Sequence, residues 1–383
     1  MSRNVYILAI VLLCGFACKK PYTPPEITVN YNYLVIDGVI NANPNGVTTI
    51  LLSRTKNLAD TIKPAAENGA QVFVEGETGS SFPLGAQGNG VYNSAPLNLN
   101  VAGKYRLRIV TKDGSAYQSD YVSVKQTPPI DSLSWRQDTL TKDVLIYAHT
   151  HDPSNQTQFY RWDYVETWQY HAAFQASWGM NGTRIYFIDP YDQVLQQYNC
   201  WGTINSTNIA IASSEALSQD VISYALVNRV KQNAEKLMVR YSINVRQYGL
   251  TREAYRYWQI IEKSTQQTGT VFDPQPAQLI GNIHCTSNPS EPVIGFVSAS
   301  FVTEKRIFID HKDVIDWHFI DLSPECGIIN SFQDPSDFLH FPYPDTAWAI
   351  YYYQSGGGMA ISRKPCLDCR RRGGTNQKPS FWQ

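Results

Sequence analysis

The chain has 383 residues, 43% of them apolar, 13% aromatic and only 17% charged, with a formal net charge of −1. That composition excludes a disordered or collagen-like chain, and the near-neutral balance argues against a nucleic-acid binder. The longest apolar run, Val5 to Ala17, holds 13 residues and falls short of the roughly 20 that a membrane-spanning helix needs.

The run instead has the form of an export signal. Arg3 supplies a positive start, Val5 to Phe16 the apolar segment, and Gly15 and Ala17 are small residues just ahead of Cys18. A cysteine at that place points to a lipoprotein: residues 1–17 are removed and Cys18 carries the lipid. Two acyl chains, at about 0.8 kcal/mol per buried methylene, are enough to hold a protein at a membrane face. Residues 18–32, with Pro21, Pro24 and Pro25, read as an extended tether.

Residues 33–127 alternate short apolar runs with turn residues. Leu34 to Ile40, Thr48 to Ser53, Ala70 to Glu75, Gly103 to Thr111 and Ala116 to Val124 are predicted strands. In Lys104 to Val110 apolar and charged residues alternate, so one face is buried, and Asp113-Gly114 supplies a hairpin turn. A small β-sandwich follows from this pattern. Gln126-Thr127-Pro128-Pro129 then marks a domain boundary.

Residues 128–383 are also predicted to be mainly β, with strands at Leu145 to Ala148, Phe159 to Trp168, Arg184 to Ile188, Thr207 to Ala212, Leu237 to Gln247, Val293 to Ser300 and Arg306 to Ile309. Thr251 to Ile261 carries apolar groups at helical spacing, with Thr251 or an adjacent residue as cap. Gln219 to Val230 reads as a second, weaker helix or an irregular loop.

After Cys18 come Cys200, Cys285, Cys326, Cys366 and Cys369. In an envelope compartment most are expected as disulfides, with one left over. Cys366-Leu367-Asp368-Cys369 has no second C-x-x-C to complete a zinc site and no βαβ pattern to suggest redox work. The favoured pairing sends Cys366 and Cys369 to Cys200 and Cys326, with the connectivity open. Phe381-Trp382 is expected to dock the chain end.

No G-x-S-x-G, H-E-x-x-H or phosphate-binding glycine loop occurs, and no S-x-x-K with its companion motifs. His149-Thr150-His151-Asp152 and the stretch Asp310 to His318 hold metal-ligand residue types, but an exposed polar edge and a charged loop account for them, so no metal or cofactor is expected. Of the aromatics, Tyr160, Trp162 and Tyr164 alternate as core residues of a strand. Trp168, Tyr170, Phe174 and Trp178 lie in a less regular segment and are the candidates for exposed ligand contact.

The motifs Tyr33 to Gly38, Leu52 to Thr55, Gly103 to Leu107, Pro129 to Leu133, Tyr160-Arg161-Trp162, Cys200-Trp201, Tyr255 to Trp258, Gly281-Asn282-Ile283 and Cys366 to Trp382 occur in order over nearly the whole chain. In these the chain resembles domain-of-unknown-function family 4249, lipoproteins of the Bacteroidota envelope. The resemblance implies an immunoglobulin-like or carboxypeptidase-regulatory-like sandwich followed by a larger β-rich part. It also implies a TonB-dependent outer-membrane receptor as partner, but no reaction. Lys19-Lys20-Pro21 follows Cys18 where surface-exported lipoproteins of that phylum often carry acidic residues, so the periplasmic and cell-surface faces both stay open. The resulting expectation is a lipid-anchored outer-membrane protein that acts as a non-catalytic accessory or capture subunit for a glycan or peptide. An envelope glycan- or peptide-processing hydrolase and a structural or adhesion module are the competing readings.

Overall fold

The computed structural model describes residues 32–56, 64–181, 184–189, 191–266, 281–319, 326, 330–332, 348–354 and 358–382. The expected export signal, Cys18 and the expected tether up to residue 31 lie outside them. The first strands are β1 (Leu34–Asn41), β2 (Thr49–Arg54), β3 (Gln71–Gly76), β4 (Ser81–Gly88), β5 (Val91–Ser94), β6 (Lys104–Val110), β7 (Ala116–Ser119) and β8 (Val122–Lys125). Then come β9 (Ile130–Gln137), β10 (Val144–Asp152), β11 (Phe159–His171), the hairpin β12 (Trp178–Asn181) and β13 (Arg184–Phe187), and helix α1 (Tyr191–Tyr198). They are followed by β14 (Asn199–Asn205), β15 (Ala210–Ser213), β16 (Asp220–Val230), β17 (Arg240–Gly249) and helix α2 (Arg252–Gln266). The last are β18 (Ile283–Cys285), β19 (Ser298–Ser300), β20 (Val302–Asp310), β21 (Asn330–Phe332), β22 (Trp348–Gln354), β23 (Gly358–Arg363) and the short helix α3 (Lys364–Leu367).

The first sheet closes on itself. Its strands run β6-β3-β4-β5-β2-β1-β19-β8, and β8 pairs back onto β6 through Lys104↔Ser123 and Tyr105↔Val122. Alternation along β6 sends Tyr105, Leu107 and Ile109 into the interior, where they meet Leu34, Ile36, Ile50 and Leu52. The hairpin into β7 turns at Gly114, whose φ of +89° favours glycine. Strands β4 and β5 were not foreseen, because Pro83, Gly85 and Gly88 give β4 little strand propensity; Asn89 and Gly90, both at positive φ, turn it into β5.

A more consequential difference concerns Val293 to Ser300, expected in the second domain. This stretch and β18 belong to the first sheet. β19 lies parallel to both β1 and β8, and Ile283, Cys285, Val293, Val297 and Ala299 are buried in the first core. Asn282 locks the return: its amide donates to the Val297 carbonyl (2.9 Å) and accepts from the Val297 N–H (2.8 Å). Gly281 is required there, since a Cβ would lie 1.8 Å from the Gly295 carbonyl oxygen.

The second unit is a sandwich. One sheet runs β16-β10-β9; the other runs β14-β11-β17-β20, with β15 also on β11. Their facing sides bury Val144, Ile146 and Ala148 against Tyr160, Trp162, Tyr164, Tyr241, Ile243 and Val245. Polar atoms of the core aromatics between the sheets find partners, as burial demands: Trp162 Nε1 donates to Gln247 Oε1 (2.8 Å) and the Tyr160 hydroxyl to Asp220 Oδ2 (2.8 Å). Glu166, 3% exposed, accepts from Asn228 Nδ2 (2.8 Å) and the Tyr241 hydroxyl (2.7 Å) and is ion-paired with Lys236.

Gln219 to Val230 corrects the sequence reading, being neither helix nor loop: it is β16. Val221, Ile222, Val227 and Val230 favour a strand, but register shifts against β10 and Tyr224 at φ +57° break the alternation that would have shown it. Helix α2 forms as expected, with Thr251 Oγ1 accepting from the Ala254 N–H (3.2 Å), and extends to Gln266. Its Ala254, Tyr255 and Trp258 pack with Val39 and Phe296 of the first unit and with Phe159 and Tyr248 of the second.

At the far end, disulfides Cys200–Cys369 and Cys326–Cys366 tie α3 and the turn after it to β14 and to the chain ahead of β21. Among the described residues Cys285 is the free thiol, and it is buried. Trp382 is 5% exposed and meets Trp201 and Phe308 edge-on, with ring centroids 6.4 and 5.5 Å away.

Candidate functional site

The outer face of the β11-β17-β20 sheet carries a ladder of charge. Asp163 stands opposite Arg246, and Arg246 opposite Glu304. Strand alternation places Arg161, two residues before Asp163, on the same face and opposite Tyr248. Across from this face lie β1, β2 and the turn between them, and the space enclosed is a cleft of about 800 Å³. That is within the roughly 300–1,000 Å³ usual for small-molecule sites. Asn43 fixes the turn to the sandwich: its side chain donates to the Val302 carbonyl and accepts from the Val302 N–H, both at 2.8 Å.

Most of the charges in the cleft satisfy one another. Asp163 accepts from Arg246 Nε (2.5 Å) and from the Tyr248 hydroxyl (2.8 Å), and Glu304 accepts from Asn244 Nδ2 (2.8 Å). Burial pushes the Tyr248 hydroxyl's pKa up, and the neighbouring Asp163 charge adds to the shift, so it stays a donor. Burial by itself would lower the Arg246 pKa, but the interactions with Tyr248 and with the Asp163 carboxylate outweigh it and the guanidinium stays protonated.

Arg161 is the exception. Its side chain is only 13% exposed and lies over the Trp258 ring, 3.8 Å from the centroid, with Tyr248 at 5.5 Å. Among the described residues it makes no hydrogen bond, and its carboxylate neighbour, Asp163 Oδ2, is 3.8 Å away. A guanidinium held flat by aromatic faces keeps its planar fork of donors for another acceptor. On the opposite wall Asp37 is exposed and, among the described residues, has neither ion pair nor hydrogen bond.

The sequence candidates lie elsewhere. Trp168 is half-buried under the Lys236 ammonium, 5.5 Å from its ring. Tyr170 is 3% exposed, so the expected exposed contact gives way to a structural role: its hydroxyl donates to the Cys369 carbonyl (3.0 Å) within the cluster around the Cys200–Cys369 bridge. Phe174 is half-buried and its N–H donates to the Cys366 carbonyl (2.9 Å). Trp178 sits half-buried in the β12–β13 hairpin, 5.2 Å from the exposed Phe187 ring. None of the four lines the cleft. The signal that would have found the cleft is the two-residue spacing of Arg161 with Asp163 on one predicted strand, and of Arg246 with Tyr248 at the end of another.

The histidine pair splits between two partners. His149 Nδ1 accepts from the Tyr224 N–H (3.4 Å), and its Nε2 lies 2.7 Å from Ser134 Oγ. Asp152 is held by the turn: burial pushes its pKa up, but hydrogen bonds from Ser154, Thr157 and Gln156 overcome this and keep it at about 2. His311 Nδ1 faces the Leu237 carbonyl (2.9 Å). No group of three metal-ligating side chains occurs among the described residues.

His151 Nδ1 lies 2.8 Å from Asp131 Oδ2, and this hydrogen bond and charge raise the imidazole pKa above its ordinary 6.5. A raised histidine pKa means that the pair's contribution is fully present below the unfolded value and fades as pH rises through the folded one. Asp131→Asn is therefore expected to bring the NMR titration midpoint of His151 down toward 6.5. An unmoved midpoint would assign the shift to another group.

Residues 19–306 match the model of the family described as Domain of unknown function (DUF4249). The chain belongs to that family. In this DUF4249 protein the match takes in the closed sheet, the charge ladder and α2, and ends within β20, before the disulfide-tied end. No curated protein matches the chain. Among solved structures, a DUF4785 family protein from Legionella pneumophila is similar at 8% identity and a TM-score of 0.19, over 55% of this chain and 51% of that one. A mutant Salmonella alpha-2-macroglobulin gives 11% identity and a TM-score of 0.19 over 57% of this chain and 14% of that one. The B domain of a biofilm associated protein gives 9% and 0.16 over 75% and 89%. Likenesses this distant carry no argument about function.

Proposed function

We propose that the chain is a lipid-anchored outer-membrane protein that captures a ligand in its cleft as the non-catalytic accessory subunit of a TonB-dependent transporter. The observation that carries the capture role is the cleft of about 800 Å³ walled by two sheets, with charges on both sides. Sites built on strands hold their geometry better than sites on loops. The small residues ahead of Cys18 and the proline-containing tether support the anchor, which takes either face of the outer membrane.

The test is affinity purification of the tagged full chain from detergent-solubilised envelopes, followed by mass spectrometry. Recovery of an outer-membrane receptor in stoichiometric amount is expected. Recovery of the lipoprotein alone would remove the stable-subunit reading.

A further inference from the structure

Resting on that capture reading, we infer that the cleft takes a short peptide with free termini, its carboxylate on Arg161 and its ammonium on Asp37. Five charged side chains line the cleft: Asp37, Arg161, Asp163, Arg246 and Glu304. Asp163, Arg246 and Glu304 form the ladder and are occupied by one another, by Tyr248 and by Asn244. The other two are less engaged, Arg161 having only the 3.8 Å approach of Asp163 and no side-chain hydrogen bond among the described residues, and Asp37 having neither; they have opposite sign and stand on opposite walls, Asp37 on β1 and Arg161 on β11. The complement of such a pair carries both charges at a distance from each other.

The two ends are built differently. Arg161 is preorganised: stacked on Trp258 and largely out of water, it loses little freedom on gaining a bidentate carboxylate, and a low local dielectric strengthens the contact. Asp37 is exposed and supplies a solvated carboxylate for an ammonium. A neutral oligosaccharide fits less well, because the aromatic ring that reaches the cleft, Tyr248, is 6% exposed and already packed under Arg161, leaving no face for a sugar to stack on. A purely anionic ligand would meet three carboxylates against two guanidinia.

The experiment uses the full chain in detergent, immobilised, and a pool of randomised tetrapeptides in four forms: free, N-acetylated, C-amidated and doubly capped. Retained peptides are read by mass spectrometry. The free form is expected to be retained at least tenfold over the doubly capped one, with each single cap giving part of the loss. Arg161→Gln should abolish the effect of amidation and leave that of acetylation; Asp37→Asn should do the reverse. Asp37 is exposed, so its variant folds even where Arg161→Gln does not. Equal retention of all four forms, no retention, or variants that leave the cap dependence unchanged would overturn the assignment. Receptor co-purification by the same Asp37→Asn chain is read separately, so a failed peptide test leaves the subunit reading standing.

Discussion

A polypeptide of residues 33–127 is expected to remain unfolded, although its sequence reads as a complete sandwich. Without β19 the ring opens between β1 and β8, and Leu34, Ile36 and Ile40 lose Val297, Ala299 and Ile283 as neighbours in the core. A domain of that size already has a marginal core, and deletion of a central strand exposes unpaired backbone on both sides of the gap. Far-UV circular dichroism and proton NMR dispersion read the outcome. Fusing residues 281–301 to the fragment through a Gly/Ser linker is expected to restore a cooperative transition; a dispersed spectrum from 33–127 alone would show that the return segment is dispensable.

Lys236→Met is expected to destabilise the protein by about 2 kcal/mol, since the lysine is partly exposed but its removal leaves a buried charge without its counter-ion. Glu166 is the one stranded: it is 3% exposed, and its two remaining donors, Asn228 and Tyr241, are neutral. The remedy follows from the same geometry. Adding Glu166→Gln removes the charge while keeping an amide oxygen for both donors, so the double variant should regain most of the loss in urea denaturation. Equal stability of Lys236→Met and the wild type would mean that water reaches the carboxylate.

What could be read from the sequence was what local pattern encodes. Alternation gave β6, helical spacing gave α2 with its cap at Thr251, and compartment chemistry made Cys200, Cys326, Cys366 and Cys369 disulfide candidates. Where a strand carries Pro83 and two glycines, as β4 does, or a bulge and a left-handed Tyr224, as β16 does, the period disappears and so does the element. The return of 281–301 to the first sheet is a pairing between residues far apart in sequence, such as Val39 with Ser298, for which no local period exists. The cleft escaped for a related reason. Arg161 and Asp163 are ordinary charges on a half-wet strand until the register sets Arg246 and Tyr248 beside them and α2 slides Trp258 underneath. The aromatic-rich segment drew attention instead, and Tyr170 shows why that signal misleads: a ring with a hydroxyl serves a buried disulfide as readily as a ligand.

The closed sheet also decides which thiols meet. Five cysteines follow position 18, and the one that stays reduced, Cys285, comes second in order, between Cys200 and Cys326. During oxidation of the reduced chain Cys285 could be captured by Cys200 before it or Cys326 after it, and either bond would be a dead end. Burial of β18 in the first core withdraws the Cys285 sulfur from exchange and leaves four thiols whose bridges nest, 326 with 366 inside 200 with 369. Ring closure thus acts as a gate on oxidation, so that correct pairing depends on the first sheet's folding faster than its thiol is captured.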